Sequence, residues 1–429
     1  MKRILFVLFL SSLALAQNGQ NANAGLPMGK PEEAGMSAER LGRIKTAMQR
    51  YVDRRDVAGT VTLVARRGKV VHFDAVGFRD AEAKAPMTTD TIFRMASMTK
   101  PIASVALMML YEQGYFLLND PVSKWIPELK DMRVAVPAAA ESSGMPYRTI
   151  PAARPITIKH LLNHTSGLPN TYRGFTKPEF DKAAARQNPN ETMADVIARV
   201  AKLPLNFQPG EAWEYGPATD VVGRLVEIMS GMPFDEYLRK RIFEPLKMTD
   251  TYFYLPVEKV GRFAATYRPG PDNKIVLEEA PTPQSRYVRE PHVYFSGAGG
   301  LVSTAADYVR FQQMMLNGGE LGGARILGRK TVELMTSNTT GDLPLWLPGP
   351  GYGFGLGYSV VKDIGQTALP GSAGQFGWGG AFCTYFWVDP TEEMIGIMVA
   401  QLRPYTHVNI RQEFQVLANQ AIVDARKKN

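Results

Sequence analysis

The chain has 429 residues, 45% hydrophobic and 21% charged, with a formal net charge of +8 and one cysteine. Such a composition supports a sizeable core in one large domain or two moderate ones, and excludes a chain disordered along its length. Basic residues are scattered, apart from short groups such as Arg66-Arg67 and Arg426-Lys427-Lys428, so no basic stripe with interleaved aromatics argues for nucleic acid.

Residues 1–16 read as a secretory signal: Lys2 and Arg3, then the apolar run 4–10, then Ala14-Leu15-Ala16 as a small-residue cleavage site. The run is too short for a membrane span, and no later segment is long and apolar enough to be one. No cysteine near the cleavage site indicates a lipid anchor. The expectation is export to the periplasm or medium, with no integral membrane segment after cleavage. Losing Lys2 and Arg3 lowers the net charge from +8 to +6. Cys383 has no partner for an internal disulfide; it lies in a strand-like stretch and suits a small buried apolar role.

Residues 17–36, rich in Asn, Gly, Gln and Pro, read as a flexible leader. Leu41, Ile44, Ala47, Met48 and Tyr51 fall at helical spacing behind a capping Ser37, which predicts a helix over 37–54. The stretch 59–78 reads as a hairpin turning at Arg67-Gly68, with Val61, Leu63 and Ala65 on one face. A further helix covers 102–110 and stops at Gly114. Over 119–248 the pattern is mostly helix and loop: 134–155, full of Ala, Pro and Ser, reads as irregular, and 158–162, 193–203 and 220–230 as helices. A helix over 305–316, strands in 352–361 and 379–401, and a helix over 408–425 follow. The sum is an α/β sheet domain, 37–118 and 249–429, interrupted by a helical domain, 119–248.

Three elements carry chemistry. The first is Ser97-Met98-Thr99-Lys100, directly before the apolar helix. If Ser97 opens that helix, Lys100 lies one turn on and on the same face. A serine hydroxyl needs a neighbouring base, and burial disfavours a lysine's charged form, so a buried lysine can serve as one. Pro101 fits a first turn, where N–H groups have no intrahelical partner. A serine cap with a surface lysine would read the same way. The second element is Tyr215, in Trp213-Glu214-Tyr215-Gly216-Pro217. A phenol beside a lysine cation can take the serine proton and return it to a leaving group; a half-buried tyrosine packed on Trp213 is the plainer account. The third is Gly377-Trp378-Gly379-Gly380-Ala381, where glycines beside a strand mark either a bulge or the approach of a substrate to a backbone N–H.

With these three in order, the chain resembles the serine β-lactamase and penicillin-binding-protein superfamily, in its class C-like branch, and within it the family VIII carboxylesterases. The similarity runs from about residue 37 to 425 and includes His160-Leu161-Leu162-Asn163-His164-Thr165-Ser166-Gly167-Leu168, Gln208-Pro209-Gly210 and the Gly297 to Thr304 stretch. It implies an antiparallel sheet flanked by N- and C-terminal helices with a mostly helical inserted domain. It implies Ser97 as the acylated nucleophile, Lys100 and Tyr215 as the proton-handling pair, and the N–H groups of Ser97 and Ala381 as the oxyanion hole. Which of Lys100 and Tyr215 is the acylation base stays open.

Two departures bear on substrate. β-Lactamases of this branch carry Tyr-x-Asn and Lys-Thr-Gly; here the matching positions read Tyr215-Gly216-Pro217 and Trp378-Gly379-Gly380. The site loses an amide donor and an ammonium and gains an apolar wall, which favours neutral esters over carboxylate-bearing penicillins. Arg403 is a candidate replacement cation. A Gly-x-Ser-x-Gly elbow is absent, which argues against an α/β-hydrolase. His160 and His164 are four apart, but Thr165-Ser166-Gly167 breaks the helix after them and no His-Glu-x-x-His occurs, so no metal or other cofactor is expected. Trp125 and Trp387 read as core, and Trp346 as a loop residue that either rims a pocket or packs down. The expectation is a serine hydrolase acting on a small-molecule ester, with a β-lactamase or D-alanyl-D-alanine carboxypeptidase as alternative and a non-catalytic envelope-binding relative as a third. The sequence sets no oligomeric state.

Overall fold

The computed structural model describes residues 25–138 and 147–425; the signal expected over 1–16 lies outside them. Helix α1 (Ala38–Asp53) begins where Ser37 Oγ accepts from the Arg40 N–H at 3.3 Å, and buries the predicted face Leu41, Ile44, Ala47, Met48 and Tyr51. Strands β1 (Gly59–Arg66) and β2 (Lys69–Asp80) form the expected hairpin. Arg67 and Gly68 turn it, both at positive φ (53° and 74°), as a two-residue hairpin loop requires. Helix α2 (Thr99–Glu112) is buried continuously from Thr99 to Leu110, the behaviour of a helix apolar on all sides.

One antiparallel sheet of eight strands organises the molecule. It adds β3 (Ala85–Pro86), β4 (Tyr352–Phe354), β5 (Ser359–Val361), β6 (Phe376–Gly380), β7 (Thr384–Asp389) and β8 (Met394–Val399), in the spatial order β4-β5-β6-β7-β8-β1-β2-β3. The first and last parts of the chain therefore meet at β1 and β8, Leu63 opposite Ile397. Alternation sorts side chains to two faces. Ile395, Ile397 and Val399 face the core that holds α2 and α5 (Ala305–Leu316), whereas Met394 and Met398 face α1 and α6 (Ile410–Asn419). Trp387 lies across Gly396, where a Cβ would come within 2.2 Å of its ring.

Between the two chain segments that build the sheet run α3 (Ile158–Leu162) and α4 (Ala218–Ser230), with Met193–Val200 also helical, as predicted. Four readings need correction. Residues 25–36, expected as flexible leader, are packed: Met28 bridges Val70, Pro31–Ala34 form a 3-10 turn, and Met36 is fully buried. The stretch read as irregular carries a hairpin, Arg133–Pro137 against Tyr147–Pro151, whose inner strand is also held by Leu205 through two backbone hydrogen bonds, Leu205 N–H to Arg133 O at 2.7 Å and Ala135 N–H to Leu205 O at 2.8 Å. The final helix is shorter than 408–425. Cys383 is buried, as expected, but sits in the turn after β6 at φ 65° and not in a strand.

Candidate active site

The start of α2 is clamped before any functional atom is considered. Residues 96–98 form a 3-10 turn leading into the helix, and Ala96 is at φ 46°, a conformation that a non-glycine residue holds only when its surroundings enforce it. The enforcement is visible. Thr384 Oγ1 donates to Met95 O at 3.1 Å, Tyr308 OH to Met98 O at 2.9 Å, and Leu301 N–H to Thr99 Oγ1 at 3.1 Å. At Gly380 a Cβ would lie 2.3 Å from both Met95 O and Thr384 Oγ1. Its absence lets β6 press directly on the turn that carries Ser97.

Ser97 is half-buried and Lys100 almost wholly buried. Lys100 Nζ donates to Ser97 Oγ at 3.3 Å and to Ala298 O at 2.7 Å, and lies 4.6 Å from the centroid of the Tyr215 ring. The Tyr215 hydroxyl accepts from Trp378 Nε1 at 3.3 Å, and the two rings are 5.3 Å apart. Ser97, Lys100, Tyr215 and Trp378, chosen from three separate stretches of sequence, thus form one connected group. Gly379 and Gly380 end β6 beside it, and Ala381 follows, exposed, in the turn.

Asp220, in the first turn of α4, is a member of this group that the sequence reading missed. Its Oδ1 accepts from Ser296 Oγ at 2.7 Å and from the Ala298 N–H at 2.9 Å, which holds the residue whose carbonyl accepts from Lys100. Desolvation pushes its carboxyl above the ordinary aspartate range, against the pull of those hydrogen bonds and of the Lys100 charge. An acid in a helix's first turn is too common to single this one out from the pattern of residues alone.

The histidines divide. His160 Nδ1 accepts from the Thr157 N–H at 3.2 Å while Thr157 Oγ1 accepts from the His160 N–H, a capping box at α3. His164, at φ 60°, is buried edge-on to Tyr215 (5.1 Å), Phe354 (5.2 Å) and Trp213 (6.0 Å). Burial, with the Lys100 charge, pushes its imidazole down to about 3, so it is neutral at physiological pH. Among the described residues no three metal-ligating side chains are grouped to hold an ion. Arg403 does not reach the Trp-Gly-Gly edge: it pairs with Glu278 at 2.9 Å and lies over Phe382. The cation there is Arg411, from α6, which donates to Gly380 O and to the Tyr405 hydroxyl.

An antiparallel sheet with helices on both faces and a helical insertion, its Ser-x-x-Lys turn opening the interior helix, has the β-lactamase/transpeptidase-like build. A family model described as Beta-lactamase matches residues 44–420, and the chain belongs to that family. It is 37% identical over 365 residues to Protein Rv1367c of Mycobacterium tuberculosis, covering 81% of this chain and 86% of that one. It is 30% identical over 369 residues to esterase EstB of Burkholderia gladioli, covering 82% and 88%. Among solved structures, one titled "EstCE1, a hydrolase with promiscuous acyltransferase activity" superposes with a TM-score of 0.72 at 26% identity, covering 90% of this chain and 99% of that one.

Proposed function

We propose that the protein is a serine hydrolase working through an acyl-enzyme, and that it acts as a carboxylesterase on short-to-medium acyl esters. The observation that carries this reading is the buried Lys100 Nζ joined to Ser97 Oγ at 3.3 Å and lying over the Tyr215 ring. In the proposed cycle Ser97 Oγ attacks the ester carbonyl and its proton passes to the Lys100–Tyr215 pair, one member of which, the Lys100 amine or the Tyr215 phenolate, stands deprotonated to accept it. The N–H groups of Ser97 and Ala381 receive the developing oxyanion. Collapse expels the alcohol, which takes a proton from Tyr215, and water then attacks the acyl-Ser97 ester by the same steps in reverse.

The Trp378 wall supports an ester over a lactam, because the position offers an indole where an ammonium would meet a carboxylate. The names of EstB and EstCE1 agree with it. A β-lactamase or D-alanyl-D-alanine carboxypeptidase is the second reading, and the cation it needs would be Arg411, already engaged with Gly380 O and Tyr405. A chromogenic short-chain ester and a chromogenic cephalosporin, assayed side by side, decide between them: ester turnover with a silent cephalosporin is expected, and the opposite outcome reverses the order. A protein inert to both, to fluorescent penicillin and to fluorophosphonate would be the non-catalytic envelope-binding relative. We further propose export, which cell fractionation tests.

A further inference from the structure

Outward of Tyr215 the aromatic surface does not stop. The Tyr172 ring lies 5.9 Å from that of Tyr215 and 5.7 Å from that of Trp346. Trp213 closes the group from beneath, 6.2 Å from Tyr215 and 6.1 Å from Trp346. Tyr172 is nevertheless 53% exposed, and Leu347, next to Trp346, 49%. Single exposed apolar side chains are ordinary, but here an exposed aromatic face is continuous with a catalytic candidate. The face is also held in place. Asn170 Oδ1 accepts from the N–H groups of Tyr172 (2.7 Å) and Arg173 (3.1 Å), which fixes the loop as an Asx turn. The Arg173 guanidinium lies 4.2 Å from the Trp346 ring and pairs at 3.5 Å with Glu214, the neighbour of Tyr215. That charge is therefore engaged, and the Tyr172 ring is what this face presents to solvent.

The chemistry gives this face a direction. In the proposed cycle Tyr215 protonates the departing oxygen, so the alcohol half of the ester must lie on the Tyr215 side of Ser97. Trp378, which meets the phenol itself, is buried, and the exposed ring beside Tyr215 is Tyr172, which leads to Trp346. Resting on the esterase reading, we infer that the Tyr172–Trp346 platform is the leaving-group subsite, and that it selects esters whose alcohol part is neutral, flat and apolar, such as an aryl or fused-ring alcohol.

The test compares 2-naphthyl acetate with ethyl acetate. Both give the same acetyl-Ser97, so differences in kcat/KM report acylation and its leaving group. Tyr172→Ala is expected to lower kcat/KM for the naphthyl ester at least tenfold more than for the ethyl ester, and to raise the inhibition constant of 2-naphthol about tenfold. Tyr172→Phe, which keeps the ring, should retain the naphthyl preference, and Trp346→Ala should lower it. Equal losses on both esters would mean that Tyr172 only props Tyr215, and would overturn the inference, as would an unchanged inhibition constant. If the wild type hydrolyses neither ester, the esterase reading fails separately. Fluorescence titration of the protein with 2-naphthol then decides the subsite: binding weakened by Tyr172→Ala supports it, and binding that is absent or unmoved overturns it.

Discussion

The two sides of Ser97 are built differently. On one side Lys100, Ala298 and Asp220 form a polar floor, each atom fixed by hydrogen bonds of 2.7–3.3 Å. On the other, Trp378, Phe354, Trp213 and Tyr172 form a wall of rings around the Tyr215 phenol, 5.2–6.2 Å apart, with few polar contacts. Directed bonds hold a proton where chemistry needs it, while ring packing tolerates varied shapes and discriminates between them by contact area. Changes to the floor should therefore slow every substrate alike, and changes to the wall should alter the ranking of substrates.

The largest effect lies at the centre. Ser97→Ala should abolish turnover, and Lys100→Ala and Tyr215→Phe should each lower kcat by about 10²–10⁴-fold for every ester, as loss of a proton-transfer group does. Near-normal rates in Ser97→Ala would end the mechanism. At Asp220, Asn keeps an acceptor for Ser296 and Ala298 and removes the charge, whereas Ala removes both. We expect about a tenfold loss in kcat/KM for Asp220→Asn, roughly one charge-assisted hydrogen bond, and a larger one for Asp220→Ala. Equal effects of the two would show that the charge alone matters. On the wall, Trp378→Phe deletes the N–H bonded to Tyr215 and keeps a ring; about a threefold loss with acyl preference retained is expected. Trp378→Ala should shift acyl preference as well, and unchanged selectivity would count against the wall.

The smallest effect is read in stability. His72 and His160 are held down to about 4 and His164 to about 3, all chiefly by burial, from an ordinary 6.5. Below pH 6.5 the unfolded chain takes up protons that the folded chain refuses, so these groups stabilise fully above 6.5 and their contribution is lost as pH falls toward 3–4. Asp307, raised to about 6 by burial, acts oppositely between about 4 and 6, since its folded form keeps a proton that the unfolded one releases. His164→Asn, a residue that tolerates positive φ, should flatten the pH dependence of urea unfolding between pH 6 and 4 by up to about 1.4 kcal/mol per pH unit, one proton's worth. An unaltered slope would mean that His164 titrates normally.

Local coding explains what could be read in advance. The α1 face, the Arg67-Gly68 turn, α2 and the Ser97–Lys100 spacing each depend on neighbours within about one helical turn or one hairpin. What could not be read depends on partners far along the chain. The pairing of 133–137 with 147–151 is concealed by Ala, Pro and Ser, and it owes its inner edge to Leu205, which no local pattern announces. Asp220 resembles any first-turn acid until Ser296 and Ala298 are folded onto it. Arg403 is near the right strand in sequence, yet the cation beside Gly379 is Arg411, delivered by the final helix. Trp346 was legible only as a choice between rim and packing, because that choice rests with Tyr172 and Arg173.

Helix α2 is enclosed from Thr99 to Leu110. The proposed nucleophile, seated in the 96–98 turn at the head of this interior helix, cannot drift out of alignment when a surface segment frays, because displacing it means opening the core. Loops at the mouth are free to change in length and composition under selection, while the reacting hydroxyl keeps its bearings.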